Sequence, residues 1–304
     1  MVKKSDALTP IIFGASGLLG RYLHIALRQS FSHVLATFCN NAQFGLYHYD
    51  FRNCSLSDLQ LDESRDYVAI ICGAVTNISF INDNPNITSQ VNVGGVLRLV
   101  DELLTKQIPV VFISSDNVFS GYEGAYEENS VCQPVSEYGR QKLVVEQALI
   151  QSAHPVCVIR LAKIMGNQPD DGTIINDITR QLLSGENVKA ASDLIFNPTA
   201  VEDIGRAVEY VIKEGITGLR NFCNPEVFSR LTLTYAIADA LGVDCERVDP
   251  VLFADIDPSG KRPLNTTMVN STVFSDFTFT SVASCIKKVA RYWKNQQCVK
   301  GVYS

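Results

Sequence analysis

The chain has 304 residues and a formal charge of −6, from 26 Lys and Arg against 32 Asp and Glu. That length can bury a large core and leaves room for one big domain or two medium ones. The acidic balance, with no long basic run, argues against nucleic acid and against an anionic membrane surface as partners. No apolar stretch approaches the ~20 residues of a membrane span. The first residues, Met-Val-Lys-Lys-Ser-Asp, run into a strand without a signal-peptide core, so a cytoplasmic protein is expected. The nine cysteines include no C-x-x-C pair, which fits a reducing compartment and offers no metal site. Cys72 and Cys157 lie inside apolar runs, where a thiol behaves as a small hydrophobe. The histidines at 24, 33, 48 and 154 are scattered and read as structural. Lys3-Lys4 and Lys287-Lys288 read as solvated ends.

Ile11–Phe13 is the first strand candidate, and Leu18–Ser30 the first helix. Between and across them runs Phe-Gly-Ala-Ser-Gly-Leu-Leu-Gly, residues 13–20. Gly14 allows a tight turn at the strand end, Gly17 lets backbone approach a pyrophosphate, and Gly20 lets the helix pack close to the sheet. Phosphates then sit on free N–H groups at the positive end of the helix, with Ser16, Leu18 and Leu19 supplying the rest of the turn. A dinucleotide site is therefore expected here. Strand candidates follow at His33–Phe38, Leu46–Phe51, Tyr67–Cys72, Pro109–Ser114 and Val156–Leu161, and Asp50 and Phe51 join the candidate cofactor set. The second strand runs into Ala36-Thr-Phe-Cys-Asn-Asn41, which holds no acid to repel a 2′-phosphate and no arginine to attract one. NADPH is thus expected to bind at least as well as NADH. Helices are predicted over Asn86–Lys106 and Ser136–Ser152. Runs such as Val-Ala-Ile-Ile-Cys and Val-Val-Phe-Ile-Ser lack polar alternation, as parallel strands covered on both faces do. The alternation predicts right-handed βαβ units in a doubly wound α/β parallel sheet. Past about residue 165 the pattern loosens into helices at Gly172–Ser184, Val201–Lys213, Thr232–Leu241 and Val282–Asn295, separated by Asp-, Pro- and Gly-rich loops. A smaller mixed C-terminal part closing over the sheet's carboxyl edge is expected. On this division residues 1–165, with about 197–224, form a dinucleotide-binding domain, and about 166–196 with 225–304 a substrate domain.

Tyr138 and Lys142 stand four apart at the start of the Ser136 helix, one turn apart on one face. A lysine there would pull the tyrosine pKa down from about 10 towards working pH and suit it to donate a proton to a carbonyl being reduced. This is the only Tyr-x-x-x-Lys in the chain. Ser115 follows the Val110–Ser114 strand, at a carboxyl end that faces the ligand crevice in such sheets. Its hydroxyl can hydrogen-bond a substrate carbonyl and help hold the charge that develops there.

The glycine turn, the serine after strand five and Tyr-x-x-x-Lys resemble the extended short-chain dehydrogenase/reductases. Within these the chain is similar to the dTDP-4-dehydrorhamnose reductase group. Ile113-Ser-Ser-Asp-Asn-Val-Phe-Ser-Gly121 resembles that group's Ser-Thr-Asp-Tyr-Val-Phe-x-Gly, Asn197-Pro-Thr-Ala-Val-Glu-Asp-Ile-Gly205 its Pro-Thr-x-x-x-Asp segment, and Lys261-Arg-Pro-Leu-Asn-Thr-Thr-Met268 its Arg-Pro loop. Asn92 falls where the group keeps an asparagine after strand four. The resemblance spans roughly residues 11 to 270. It implies hydride transfer from a nicotinamide cofactor to the 4-keto group of a nucleotide-linked 6-deoxy sugar. Tyr138 would be the acid, Lys142 its pKa tuner and ribose ligand, Ser115 the carbonyl partner and Asn92 part of the cofactor set. It also leaves open a homodimer. Related dehydratases carry Glu where this chain has Asn117, so reduction is favoured over elimination.

The departures concentrate where the group faces the sugar. Ser79 replaces an aspartate, Asn117 a tyrosine and Lys163 a tryptophan, while Asn82 replaces a glutamate and Val269 an aspartate elsewhere. Thr76, Ser79, Asn117, Lys163 and Arg262 form the candidate substrate set. Drift is one account of these changes; the reading favoured is a pocket for a different sugar, in which Lys163 could pair an anionic group. The Arg262 fork would suit the diphosphate. A second class of function stays open: the regulatory β subunit of methionine adenosyltransferase resembles the same group, binds the dinucleotide and serves as a partner protein.

Overall fold

The computed structural model describes residues 8–152, 154–169 and 171–301, with side chains to Asn295. The Lys3-Lys4 pair and the Cys298 thiol lie outside the described residues. In chain order the first part runs β1 (Leu8–Phe13), α1 (Leu18–Ser30), β2 (Leu35–Phe38), β3 (Tyr47–His48), β4 (Asp66–Ile71), α2 (Ile78–Asp83), α3 (Pro85–Ser89), α4 (Val96–Thr105), β5 (Val110–Ser115), α5 (Glu137–Ile150) and β6 (Val156–Leu161). The second part runs β7 (Ile164–Met165), α6 (Ile174–Ser184), β8 (Val188–Ala191), β9 (Ile195–Phe196), β10 (Thr199–Ala200), α7 (Val201–Lys213), β11 (Gly218–Phe222), β12 (Phe228–Ser229), α8 (Arg230–Leu241), β13 (Val248–Val251) and α9 (Val282–Gly301).

Seven strands form one parallel sheet in the order β11-β6-β5-β4-β1-β2-β3. Because strand side chains alternate between faces, adjacent apolar residues serve two different cores. Ile12, Val111, Ile113 and Ile159 pack with Leu23 and Leu27 of α1 and Ile204 and Val208 of α7. Ile11, Phe13, Phe112 and Val158 pack with Leu99 and Leu103 of α4 and Val145 and Leu149 of α5. Strands buried on both sides must be apolar throughout, which is why β5 and β6 read as continuous hydrophobic runs. A separate cluster joins Ile178 of α6, Ile237 of α8, Ile286 of α9 and Val188 of β8 beyond the sheet's carboxyl edge. There β8 and β13 pair in parallel, and β9 pairs with β12 antiparallel.

The doubly wound parallel sheet with its mixed C-terminal part is the expected architecture, and several elements differ in detail. The Leu46–Phe51 run keeps only Tyr47–His48 as strand. The helix predicted over Asn86–Lys106 is interrupted by a π-helical stretch, Gln90–Gly95, between α3 and α4. Gly95 lies so close to the chain at Phe51 that a Cβ there would sit 2.2 Å from the Phe51 carbonyl oxygen, and the widened turn permits that approach. β11 was not legible because Arg220 and Asn221 break the apolar pattern; Asn221 is buried and donates to the Tyr126 carbonyl at 3.0 Å.

Candidate active site

The glycine turn forms because β1 ends against β2 and β4. The Gly14 N–H donates to Thr37 Oγ1 at 3.1 Å and the Ala15 N–H to the Thr37 carbonyl at 2.8 Å. Gly14 has φ +98°, and a Cβ on it would lie 2.4 Å from the Gly73 Cα. A Cβ on Gly20 would lie 2.2 Å from the Gly14 carbonyl oxygen. Both positions need glycine, the first for its backbone angle and both for contact. Gly17 caps α1 with no side chain on the first N–H groups of the helix. This leaves the helix start open to an anion.

That turn lines one end of a cavity of about 1030 Å³ at the carboxyl edge of the sheet. Of the expected cofactor residues, Gly14, Ser16, Gly17, Leu18, Leu19, Gly20, Asp50 and Phe51 line it. Asn92 does not. It is buried behind the cavity, its Oδ1 accepting from the Val75 N–H at 2.8 Å and its Nδ2 donating to the Val75 carbonyl at 2.9 Å and to Gln141 Oε1 at 2.9 Å. It therefore fixes the Gly73–Thr76 backbone, which does line the cavity, and ties it to α5. Beside Asp50 the structure places Arg52, which the sequence reading passed over. Its backbone N–H, Nε and Nη2 grip the Asp50 carboxylate at 2.9, 3.1 and 2.6 Å and hold that acid below its ordinary pKa. Cys39, Asn40 and Asn41 complete this end, so an arginine does stand at the cofactor edge after all. The signal missed was distance along the chain, since Arg52 arrives from beyond β3 rather than from the end of β2.

The middle of the cavity holds Ser115, Tyr138 and Lys142. Ser115 Oγ donates to Asp116 Oδ1 at 2.9 Å and accepts from the Asn117 N–H at 3.2 Å and from Asn117 Nδ2 at 3.1 Å. α5 begins beside this turn: Ser136 Oγ accepts from the Gly139 N–H at 3.1 Å, and Asn82 Oδ1 accepts from the Glu137 N–H at 3.2 Å. A Cβ on Gly139 would lie 2.0 Å from the Asn117 carbonyl oxygen, so glycine allows the helix to approach Ser115. Lys142 Nζ donates to the Ile113 carbonyl at 2.8 Å, lies 5.8 Å from the Tyr138 ring centre, and is pushed down to about 8 by burial. The expected lowering of the tyrosine pKa is corrected: burial, with the Asp116 carboxylate second, raises Tyr138 above its ordinary value. Desolvation is the main cause, and the phenol stays protonated at neutral pH.

Beneath the site Glu146 and Arg160 form a buried ion pair at 2.8 Å, and Glu146 also accepts from Ser114 Oγ. Of the expected sugar residues, Thr76, Asn117, Lys163 and Arg262 line the far end of the cavity. Asn117 spends its amide on Ser115 and Asp116, donating to Asp116 Oδ1 at 2.8 Å. Ser79 lies off the cavity wall and accepts from Arg262 Nη2 at 3.1 Å, while Arg262 Nε pairs with Asp257 at 3.1 Å. The loop bearing Arg262 packs on Gly121, where a Cβ would lie 2.4 Å from the Pro263 Cβ. Lys163 is exposed to the cavity, and desolvation within it lowers its pKa. Arg230, at the start of α8, lines the same end and was not among the expected residues; nothing in the Ser229-Arg230 context marks it before the fold is known. Among the described residues no cluster of His, Cys, Asp and Glu could hold a metal, and no helix is long and apolar enough to cross a membrane.

Comparison with known proteins agrees with this architecture. The chain is 24% identical over 264 residues, 83% of its length and 86% of the relative's, to the probable low-salt glycan biosynthesis reductase Agl14 of Haloferax volcanii. It is also 24% identical over 260 residues, 83% of its length and 77% of the relative's, to methionine adenosyltransferase 2 subunit beta of Xenopus tropicalis. The crystal structure of dTDP-4-dehydrorhamnose reductase from Bacillus anthracis, in complex with NADP, superposes with a TM-score of 0.78 at 19% identity, covering 96% of this chain and 100% of the other. The family model described as the RmlD substrate binding domain matches residues 9–298, and the chain belongs to that family.

Proposed function

We propose that the chain is an NADPH-dependent reductase acting on the 4-keto group of a nucleotide-linked 6-deoxy sugar. The observation that carries this reading is one cavity that joins the glycine turn at Gly14–Gly20 to Ser115, Tyr138 and Lys142. The uncapped start of α1 and the close backbone at Gly14 and Gly20 suit a pyrophosphate. Gly14, Ser16, Gly17, Leu18, Leu19 and Gly20 would hold the dinucleotide with Asp50 and Phe51. Arg52 would meet a 2′-phosphate, and Asn92 would act through the Val75 backbone it binds. NADPH, when bound, supplies a hydride.

The chain's own residues manage the proton and the oxygen. Ser115 Oγ stands at the end of β5, and its one proton, given to Asp116 Oδ1 in the structure, would turn to the substrate carbonyl oxygen when substrate binds. Tyr138, protonated at neutral pH, gives its phenolic proton to that oxygen as the carbonyl becomes an alcohol. The Lys142 ammonium stabilises the phenolate left behind, and solvent restores the proton. Residues 1–165 with about 197–224 would serve the dinucleotide. Residues 166–196 and 225–304 would serve the sugar nucleotide, a division the separate cluster of α6, α8 and α9 supports.

The test is NADPH oxidation by the purified protein with dTDP-4-dehydro-6-deoxy sugars, both C5 epimers being offered. Turnover that disappears in Tyr138→Phe supports the reading. Relatives named as methionine adenosyltransferase β subunits favour a second reading, a dinucleotide-binding partner protein. Tight NADPH binding without turnover of any keto sugar, and co-purification with a larger synthetase, would replace the first by the second.

A further inference from the structure

Three cations, Lys163, Arg230 and Arg262, stand at the sugar end of the cavity, and among the described residues two of them have no counter-ion. Arg262 is paired with Asp257 and bound to Ser79. Among the described residues, Lys163 Nζ has neither a hydrogen-bond nor an ion-pair partner. Its backbone is fixed, the Thr199 N–H donating to its carbonyl at 2.8 Å. Arg230 Nε is buried with no hydrogen-bond partner at all. The acids nearby are otherwise engaged: Asp177 pairs with Arg180 at 3.1 Å, and Asp116 is held by Ser115 and Asn117. Burial lowers the pKa of both Lys163 and Arg230, and Arg230 and Arg262 each lower that of Lys163 further. The Arg230 Nε is buried without a partner, which is costly unless an anion reaches it, and Lys163, whose side chain is exposed to the same cavity, offers a second positive charge at that end.

We propose that Lys163 and Arg230 form the receptor for a carboxylate carried by the sugar, so that the substrate is a nucleotide-linked keto sugar with an acidic substituent. This rests on the reductase reading and narrows its substrate. The position favours the sugar over the diphosphate as the source of the anion. Leu161, at the end of β6, pairs in register with Ser115, so Lys163, two residues on, stands beside Ser115 on the sugar side of the cavity. Arg262, on a separate loop, is the cation left for the diphosphate.

The experiment is calorimetric titration of the NADPH-loaded protein with UDP-glucuronate and UDP-glucose, repeated in the dTDP series. Each pair shares base and diphosphate and differs in one carboxylate. The acidic sugar should bind about 30-fold more tightly, as expected of a desolvated charge pair. Lys163→Met and Arg230→Met should each lower affinity for the acidic sugar far more than for the neutral one and so remove that preference, and Lys163→Arg should keep it. NADPH fluorescence titration of each variant checks that the fold is intact. Equal loss of both sugars in Lys163→Met would assign the cations to the diphosphate and overturn the proposal. So would equal wild-type affinity for the two sugars, or binding of neither. NADPH-dependent turnover of a neutral dTDP-4-keto-6-deoxy sugar, without preference for an acidic one, would overturn this proposal and leave the reductase reading standing.

Discussion

Tyr138 and Lys142 show how burial changes the chemistry that a four-residue spacing suggests. The spacing places both on α5, but in the structure the phenol is raised and the ammonium is lowered to about 8. The tyrosine therefore keeps its proton at neutral pH, and the lysine is the group that titrates near neutrality. Below pH of about 8 Lys142 carries its charge; above it the charge is lost, and with it the stabilisation of the phenolate. The expected outcome is that kcat/KM, which reports the free enzyme, falls as pH rises through about 8. A profile flat to pH of about 10, where an unperturbed lysine would titrate, contradicts this. Tyr138→Phe should lower turnover by about 10²–10⁴ while NADPH affinity stays near normal. Arg52→Ala should weaken NADPH binding by about tenfold and leave NADH binding little changed, since only the former carries the 2′-phosphate. Titration of both cofactors against both proteins reads this directly.

At the scale of elements, legibility follows burial. β1, β4, β5 and β6 are covered on both faces and had to be apolar, so their sequences announce them. β11 sits at the sheet edge with a buried Asn221 whose Nδ2 donates to the Tyr126 carbonyl, a contact from 95 residues away that no local pattern carries. The π-helical stretch is equally silent, because its cause is the Phe51 backbone pressed against Gly95. The glycine turn, Ser115, Tyr138 and Lys142 were legible because their spacing is local. Arg52 and Arg230 were not, because the fold alone brings them to the cavity. Gly139 is the tightest joint between elements at the site. Gly139→Ala should push α5 from the Asn117 turn, lowering stability by about 1–3 kcal/mol as overpacking does; a melting curve and the turnover number check both effects. Arg160→Met leaves Glu146 buried without its cation and should cost about 3–5 kcal/mol in a denaturant titration.

The whole molecule presents a catalytic floor and a recognition roof from different stretches of chain. The floor is the carboxyl edge of the parallel sheet. The roof comes from the connection after β6, the start of α8 and the loop packed on Gly121. Arg262→Ala should accordingly raise KM for the nucleotide sugar and leave dinucleotide binding intact, as separate titrations would register. Lys163→Trp should move preference towards neutral keto sugars, measured across a panel of both kinds. Lys163 lies just beyond β6 and Arg230 at the first turn of α8, neither hydrogen-bonded to Ser115, Tyr138 or Lys142. On the proposed reading, changes at these two cations alter which sugar is recognised and leave Ser115, Tyr138 and Lys142 in place.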